Sequence, residues 1–545
     1  MKEKFVSFKT TSNETHNMKK LVVRLSFSFF ALGFSNMVVG QVDKDVLNWY
    51  NGSGSGMQTE KAYKALKKKK STTVIVAVID SGIDIEHEDL KGKIWTNTKE
   101  IPGNGIDDDN NGYIDDIHGW NFLGNAKGEN QQYANLEKTR IYKKLRDKYE
   151  KLDPNQVSDA DRQEYELYKK VRLEIREDRA KYEEIVAQLD QLPMILQMIP
   201  GMVSNAIGKT EYTKKDLDAW KPADDQMKQI KQVALAMVTG ELTEEVVKEQ
   251  KEQIQGMLDY NLNVDYNDRQ FIGDNPDDFM DVKYGNNDVE GPDALHGTHV
   301  GGIIGAIRGN NLGGDGVASD VLLMSLRAVP DGDEADKDIA LAIRYAVDNG
   351  AQVINMSFGK GYSPHQQEVF DAFKYADSKG VLLVHAAGND NANIDEAPNF
   401  PTSMYPFQTE KLDLFLTIGA STRFPKEKLA ADFSNYGQKG VDVFAPGHDI
   451  YNAVPQSAYK KLNGTSMAAP MVAGVAALLK SYYPSLTMNE IKDVMLKSAK
   501  SYKGTKQFTP GTETADDFAK LSVSGAVIDV AAAVKMCNAL EAKKK

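Results

Sequence analysis

Cysteine is almost absent from this chain: its 545 residues include one, Cys537. A single cysteine cannot form an internal disulfide, and its distance from every motif discussed below disfavours a cysteine nucleophile. Basic clusters are also scarce, because the formal net charge is −12 and only the run 64–70 and the C-terminal tail are locally basic. Phosphate contact requires a clustered basic face, so this charge argues against a nucleic-acid-binding protein.

Long hydrophobic runs are missing as well. After a basic start at Met18, an apolar stretch covers about 25–33, but serines break it and it is short for a membrane span of ~20 residues. Small residues then precede Gln41. The pattern predicts an export signal cleaved near Gln41, with either Met1 or Met18 as the start, and a periplasmic or extracellular protein without a stable membrane span in the mature chain.

What the chain does contain is a series of β-branched runs. The first is VIVAVID at 74–80, and similar runs occur at 321–329, 353–359, 381–389, 414–421 and 441–447. Helical patterns lie between them, for example at 338–351, where Asn349-Gly350 predicts a C-cap, and at 365–380. Strands that alternate with helices predict a parallel α/β sheet covered on both faces, with its chemistry at the carboxyl ends of the strands.

A segment of different composition interrupts this pattern from about 125 to 288. It is rich in Lys, Glu, Asp and Gln, and it predicts helices at 134–152, 160–189 and 243–258. In the second of these, apolar residues at a three-four spacing predict a helical hairpin or a coiled-coil arm. We interpret the segment as a mainly helical insertion between two parts of the α/β domain.

Two motifs predict an acid and a base. Asp80 ends the first buried run, where a carboxylate could orient an imidazole and stabilise its protonated form. His296 begins the helical motif HGTHVGGIIGA, in which glycines 297, 301 and 305 share one face and allow close packing. We predict that His296 is a general base, whereas His299 is a buried structural residue. A third ligand at zinc spacing, as in HExxH, is missing.

Two further motifs predict a nucleophile and an oxyanion donor. Ser466 lies in NGTSMAAPMVAG, behind Gly464 and at the predicted start of an apolar helix, where free N–H groups and the helix dipole favour negative charge. Asn389 follows two alanines and a glycine, and its amide could donate to a developing oxyanion together with the backbone N–H of Ser466. Taken alone, each motif would also fit a helix cap or a loop asparagine.

Together, Asp80 in DSG, His296 in HGTHV, Asn389 in AAGN and Ser466 in GTSMAAP resemble the subtilisin-like serine peptidases. The chain order Asp, His, Ser is that of subtilisin, and it differs from the orders found in α/β-hydrolases and chymotrypsin. The nucleophile elbow G-x-S-x-G is not present, because Ala468 occupies its last position. The resemblance implies an α/β, three-layer subtilisin-like fold with a mainly parallel sheet, plus the large helical insertion.

The resemblance also implies a domain organisation. It comprises an export signal with leader (1–40), a short N-terminal extension (41–73), a catalytic domain in two parts (74–124 and 289–535), the mainly helical insertion (125–288) and a basic tail (536–545).

The same resemblance implies a substrate cleft. Its walls beside P1, the substrate residue whose carbonyl is attacked, would be Ser357, Phe358, Gly359, Ala386, Ala387 and Gly388. Backbone groups there would pair with an extended peptide as an added strand. Small apolar walls imply broad tolerance at P1. The two segments contain no acidic residue, so they give no sign of a preference for a basic side chain at P1.

The acidic loop at 104–116 predicts a metal site. Its spacing reproduces the start of a calcium loop. The candidate calcium ligands are Asp107, Asp109, Asn111, the backbone carbonyl of Tyr113, and the carboxylate of Asp115 or Asp116. His118 occupies the twelfth position, where an EF-hand has Glu, so a standard EF-hand is excluded. Structural calcium in a non-EF loop and a polar Asx-rich turn both remain open, and no redox or nucleotide cofactor is expected. By the family resemblance, Asp89 also matches a calcium ligand.

The sequence therefore predicts an exported serine endopeptidase that hydrolyses proteins or peptides through an Asp-His-Ser triad and an acyl-enzyme on Ser466. The alternative is a non-catalytic peptide-binding protein on a peptidase scaffold, with the insertion as a helical arm that docks a partner protein. It is disfavoured because no catalytic position is lost. For an active enzyme, the insertion could cap the cleft, assist folding or bind a protein partner.

Overall fold

The computed structural model describes residues 46–240, 242–397, 399–425 and 428–544, so the predicted export signal lies outside the described residues. Its helices are α1 (Thr59–Leu66), α2 (Glu137–Tyr149), α3 (Arg162–Ile207), α4 (Lys214–Ala219), α5 (Asp225–Val238), α6 (Glu244–Gly256), α7 (Leu295–Gly305), α8 (Asp336–Asp348), α9 (Gln366–Ser378), α10 (Thr465–Tyr482), α11 (Met488–Ser498) and α12 (Val530–Lys544). None of these described helices has the length and apolarity needed to cross a membrane.

The strands are β1 (Val74–Asp80), β2 (Gly119–Asn121), β3 (Val321–Arg327), β4 (Val353–Met356), β5 (Leu382–Ala386), β6 (Phe415–Ser421), β7 (Val443–Pro446), β8 (Ile450–Val454), β9 (Ala458–Leu462), β10 (Lys500–Ser501), β11 (Lys506–Phe508), β12 (Ala515–Asp517) and β13 (Ala526–Val527). All six predicted runs contain a strand. The predicted runs extend up to three residues beyond the observed strands, because apolar residues continue past the last paired position into the loops at the carboxyl edge.

The first strand explains why the sheet is covered on both faces. Val76 and Val78 of β1 pack in the same cluster as residues of α7 and α10, whereas Ala77 and Ile79 pack in the cluster that contains residues of α8 and α9. Successive side chains of a strand point to opposite faces, so an apolar run without polar alternation needs a helical layer on each side. The predicted three-layer α/β fold is confirmed.

The strand order creates the crevice in which the site lies. The main sheet has nine strands in the order β10-β13-β7-β6-β5-β4-β1-β3-β2. Within it the described pairings are parallel except that of β10 with β13. From β1 the chain proceeds to β3 on one side and later to β4 on the other. Such a switch point opens a crevice at the carboxyl ends of parallel strands.

Two helices of the α/β part agree with their predicted positions. The patterns at 338–351 and 365–380 correspond to α8 and α9. The C-cap of α8 is Asn349, and Gly350 follows with a φ of 84°, a left-handed conformation that glycine adopts without strain.

Among the described residues, 172–262 form a smaller compact unit, and the rest form a larger one. The predicted insertion at 125–288 is therefore divided, since 125–171 and 263–288 belong to the larger unit. In the smaller unit, α3 packs in two apolar clusters with residues of α4, α5 and α6. This packing is a bundle of several helices rather than the predicted helical hairpin or coiled-coil arm.

Two sequence-based assignments differ from the structure. The helix predicted at 160–189 continues as α3 to Ile207, through Pro193 and Pro200, because Leu196 and Ile199 bury the same apolar side of the helix. Residues 536–544 of the predicted basic tail belong to α12, which runs to Lys544 and buries Cys537.

Candidate active site

The carboxylate of Asp80 and the ring of His296 form one hydrogen-bonded pair. Asp80 ends β1 and is 2% exposed. Its Oδ1 accepts hydrogen bonds from the backbone N–H of Ser81 at 2.8 Å and from Nδ1 of His296 at 2.7 Å. A carboxylate can only accept, so Nδ1 carries the proton and Nε2 of the neutral ring keeps a free electron pair. The pair thus fixes the tautomer that a general base requires.

Close backbone packing brings these two residues together. His296 lies in the first turn of α7, and the next residue, Gly297, faces the turn after β1. A Cβ on Gly297 would lie 2.1 Å from the carbonyl oxygen of Gly82 and 3.2 Å from the Cβ of Asp80. No side chain fits in this contact. The glycine face predicted from the sequence therefore has a defined role: it lets α7 approach the end of β1.

Two opposing effects act on the pKa of His296. Burial alone would lower it, but the charge of Asp80, the hydrogen bond to Asp80 and the charge of Asp293 together raise it above the ordinary value. The other oxygen of Asp80, Oδ2, is buried and has no hydrogen-bond partner among the described residues. A buried carboxylate with an open oxygen favours a positive neighbour, which stabilises the imidazolium form of His296.

Ser466 lies in the first turn of α10. The turn before it requires glycine, because Gly464 has a φ of 155°. The hydroxyl of Ser466 donates a hydrogen bond to the carbonyl oxygen of Ser357 at 3.1 Å, and the hydroxyl of Ser357 donates to the carbonyl oxygen of Ser466 at 2.9 Å. Within the described chain we find no hydrogen bond between Ser466 and His296.

Asn389 is held beside Ser466 by one end of its side chain. Its Oδ1 accepts from the backbone N–H of Thr465 at 2.8 Å and from the Thr465 hydroxyl at 3.0 Å. Its Nδ2 would lie 3.5 Å from a Cβ on Gly464, and no described residue accepts a hydrogen bond from it. The amide therefore presents a free donor next to the peptide that precedes Ser466. Thr465, which orients it, was not identified from the sequence, because its contact with Asn389 joins distant segments.

Comparison with known proteins agrees with this arrangement. The sequence profile described as "Subtilase family" matches residues 71–516. This chain belongs to the subtilase family. It is 37% identical over 229 residues to the thermophilic serine proteinase of Bacillus sp. (strain AK1), covering 42% of this chain and 51% of the relative. It is 33% identical over 247 residues to subtilisin DY of Bacillus licheniformis, covering 45% of this chain and 82% of the relative.

A third relative is much longer than the shared region. The subtilase chain is 36% identical over 216 residues to the cell wall-associated protease of Bacillus subtilis (strain 168), covering 39% of this chain and 22% of the relative. The chain thus spans about a fifth of the cell wall-associated protease and about half of the thermophilic serine proteinase. In each case the shared region is less than half of this subtilase.

The two predicted walls of the cleft flank Ser466 in this subtilase. β4 and β5 are neighbours in the sheet, so the segments 357–359 and 386–388 leave it side by side. The first wall contacts Ser466 through Ser357, as described above. The second is joined to the start of α10, because the backbone N–H of Gly388 donates to the Thr465 hydroxyl at 3.0 Å. His299 lies apart from these groups. It is fully buried, its Nε2 is 3.1 Å from two carbonyl oxygens, and burial lowers its pKa to about 3.

The structure brings together only part of the predicted calcium ligands. Asp107 and Asp109 offer carboxylate oxygens within 4.8 Å of each other and of Glu100. Asp115 instead accepts backbone N–H bonds from residues 103–105, and Asp116 accepts from Asn97, Asn111 and Tyr345. The side chain of Asn111 is used within the loop as well, because its Oδ1 accepts from the backbone N–H of Tyr113 at 2.8 Å. Glu100 was missed because it precedes the motif.

Asp89 also has an environment that fits a cation. It is fully buried, and its Oδ1 accepts from Nδ2 of Asn310 at 2.6 Å. Its Oδ2 is buried without a hydrogen-bond partner among the described residues. Hard cations prefer such oxygen ligands. Asn310 lies in the loop 308–314.

We expect Gly297→Ala to separate α7 from the end of β1. The added methyl group overlaps the carbonyl oxygen of Gly82, so the free energy of unfolding should fall by about 1–3 kcal/mol. The pKa of His296 should also fall, since its contact with Asp80 lengthens. Urea unfolding and NMR titration measure both. Gly361→Ala is the matched control, because no atom lies within 4 Å of the added Cβ. Equal effects of the two variants would contradict this account.

Proposed function

We propose that this subtilase is a serine endopeptidase in which Ser466 attacks the peptide carbonyl and forms an acyl-enzyme. One observation carries the proposal: the hydrogen bond of 2.7 Å between His296 and Asp80, at the edge of the sheet where the loop after β4 contacts Ser466 in the first turn of α10. It leaves Nε2 of His296 as the available base. The family membership supports the same chemistry.

The residues divide the reaction as follows. His296 accepts the proton of the Ser466 hydroxyl through Nε2, and Asp80 stabilises the resulting imidazolium. The tetrahedral oxyanion accepts hydrogen bonds from the backbone N–H of Ser466 and from Nδ2 of Asn389. His296 then gives its proton to the leaving amine. In the second half of the reaction, water attacks the ester, His296 accepts the proton of that water, and it returns the proton to the oxygen of Ser466. In subtilisin, loss of the asparagine donor costs about 10²–10³ in rate.

The resting hydroxyl must turn before it can react. It now donates to the carbonyl oxygen of Ser357. We propose that rotation about its χ1 exchanges that acceptor for Nε2 of His296. Hydrogen bonds of catalytic groups are often long or misaligned without substrate and tighten in the Michaelis complex. We infer that a peptide bound along 357–359 favours this rotation.

Export of the protein and a partner for the helical insertion remain predictions. The first rests on residues outside the described chain. The second rests on the position of the insertion between the two parts of the catalytic domain.

The decisive experiment compares the wild type with Ser466→Ala. A fluorophosphonate should label the wild type at Ser466, casein should be hydrolysed, and both signals should vanish in the variant. Replacement of the nucleophile in subtilisin costs about 2 × 10⁶ in kcat. Ser457→Ala is a control for the loss of a serine hydroxyl. A wild type that neither reacts with the probe nor hydrolyses casein would favour the alternative, a peptide-binding protein on this scaffold.

The pH dependence tests the role of His296. The neutral ring is the base, so kcat/KM should rise with pH through the pKa of His296, and the midpoint should lie above about 6.5 because that pKa is raised. Asp293→Asn removes a negative charge near the ring but keeps an oxygen that can accept from the Leu295 N–H. Its midpoint should be lower and its maximal rate similar. Rates should be measured over the full acidic limb of the profile. If the midpoint is the same in the wild type and in Asp293→Asn, the assignment of His296 as the base is contradicted.

We also propose that calcium stabilises this subtilase. Two places fit the ion: the cluster of Glu100, Asp107 and Asp109, and the buried carboxylate of Asp89. Calcium that binds the folded state should raise the melting temperature by several degrees relative to EDTA. If calcium binds the cluster, Asp109→Asn should abolish this rise. If it binds at Asp89, Asp89→Asn should abolish it. Asp108→Asn, in the same loop but outside the cluster, should keep it. Identical melting temperatures in calcium and EDTA would exclude the proposal.

A further inference from the structure

An asparagine lies between the two walls of the predicted P1 cleft. A Cβ on Gly359 would lie 3.1 Å from Oδ1 of Asn399, and a Cβ on Gly388 would lie 3.5 Å from its Nδ2. Nδ2 also donates a hydrogen bond to the carbonyl oxygen of Ala387 at 2.9 Å. The side-chain amide therefore contacts one wall and is hydrogen-bonded to the other.

We propose that Asn399 closes the far end of the P1 cleft and restricts P1 to short side chains. The inference rests on the proposed function, because it assigns substrate specificity to the same cleft. It narrows the broad tolerance that the small wall residues alone implied. The amide is held in place by its hydrogen bond to the carbonyl oxygen of Ala387, which also accepts from Nδ2 of Asn435 at 2.9 Å.

Asn399 also lines a cavity that offers space for a larger side chain. A cavity of about 140 Å³ is lined by Asn399 together with His385, Ile394, Phe400, Met404 and Thr417, among others. A cavity of about 150 Å³ in another protein holds a benzene ring. Removal of the Asn399 side chain should therefore join the cleft to a space that fits an aromatic P1.

The lining of this cavity favours a neutral P1 side chain. Nε2 of His385 donates to the carbonyl oxygen of Phe358 at 2.8 Å. Burial lowers the pKa of His385 to about 4, so the ring is uncharged at neutral pH. No lysine, arginine or acidic residue is among the described lining residues. An aromatic ring, rather than a basic side chain, matches this environment.

The loop that carries Asn399 is held by contacts that do not involve its side chain. The backbone N–H and carbonyl of Phe400 exchange two hydrogen bonds of 2.8 Å with those of Lys360. Lys360 directly follows the first wall, and it is fixed in turn by ion pairs with Glu137 at 2.9 Å and Asp336 at 2.8 Å. Truncation of the Asn399 side chain should therefore leave the loop in place. An effect of the truncation on P1 selection can then be distinguished from an effect on folding.

The experiment measures kcat/KM for two p-nitroanilides, Ala-Ala-Pro-Ala and Ala-Ala-Pro-Phe. We expect the wild type to favour alanine at P1 by about tenfold or more, and Asn399→Gly to reduce that ratio by at least tenfold, a typical effect of pocket size. Asn399→Ala should give an intermediate ratio and serves as a second variant if the glycine variant folds poorly. Asn393→Ala, which removes an asparagine side chain from the same loop region, should keep the wild-type ratio.

The same two compounds can be tested for binding to proteins that carry Ser466→Ala. The ratio of their Kd values, with and without Asn399→Gly, reports P1 selection without turnover. A wild type that accepts phenylalanine as well as alanine, or ratios unchanged in both Asn399 variants, would overturn the inference. If the wild type hydrolyses neither compound and resists the fluorophosphonate, the proposed function fails, while the Kd ratios still decide the role of Asn399.

Discussion

A buried carboxylate at the end of a doubly covered strand is the constraint on which this site depends. Asp80 can be charged there only if neighbouring groups stabilise it, and the groups that do so are the Ser81 N–H and the ring of His296. For the ring to reach Asp80, α7 must approach the strand end within the width of a glycine at position 297. The tautomer of His296 that the proposed base requires thus follows from its hydrogen bond to the buried carboxylate of Asp80.

The other residues of the proposed active site are positioned by the same edge of the sheet. β4 pairs with β1 and β5 pairs with β4, and the loops that follow both strands contact the first turn of α10. Ser466 is therefore held by backbone and hydroxyl contacts with Ser357, while Asn389 is held through Thr465. This arrangement keeps the amide donor of Asn389 free. It also gives the nucleophile a resting acceptor that a substrate must replace.

Part of the segment predicted as an insertion is built into this cleft. Glu137, in the first turn of α2, shares the buried ammonium of Lys360 with Asp336 of α8. Breaking a buried pair of this kind leaves an uncompensated charge, which typically costs about 3–5 kcal/mol. The residues that lead into the smaller unit are therefore part of the support of the first cleft wall. Their charged composition, which separated them from the α/β pattern in the sequence, reflects this buried network as well as exposed helices.

The sequence by itself determined the class of the fold, because β-branched runs without polar alternation require a sheet covered on both faces. It also determined the four motifs of the site, because the residues around Asp80, His296, Asn389 and Ser466 form short local patterns. It did not determine the full length of α3, the proximity of Glu100 to Asp107 and Asp109, the anchoring of Asn389 by Thr465 or the position of Asn399 between two glycines. Each of these depends on contacts between segments far apart in the chain. Local spacing cannot encode such contacts, and only the packed tertiary structure decides which distant side chain fills a given space.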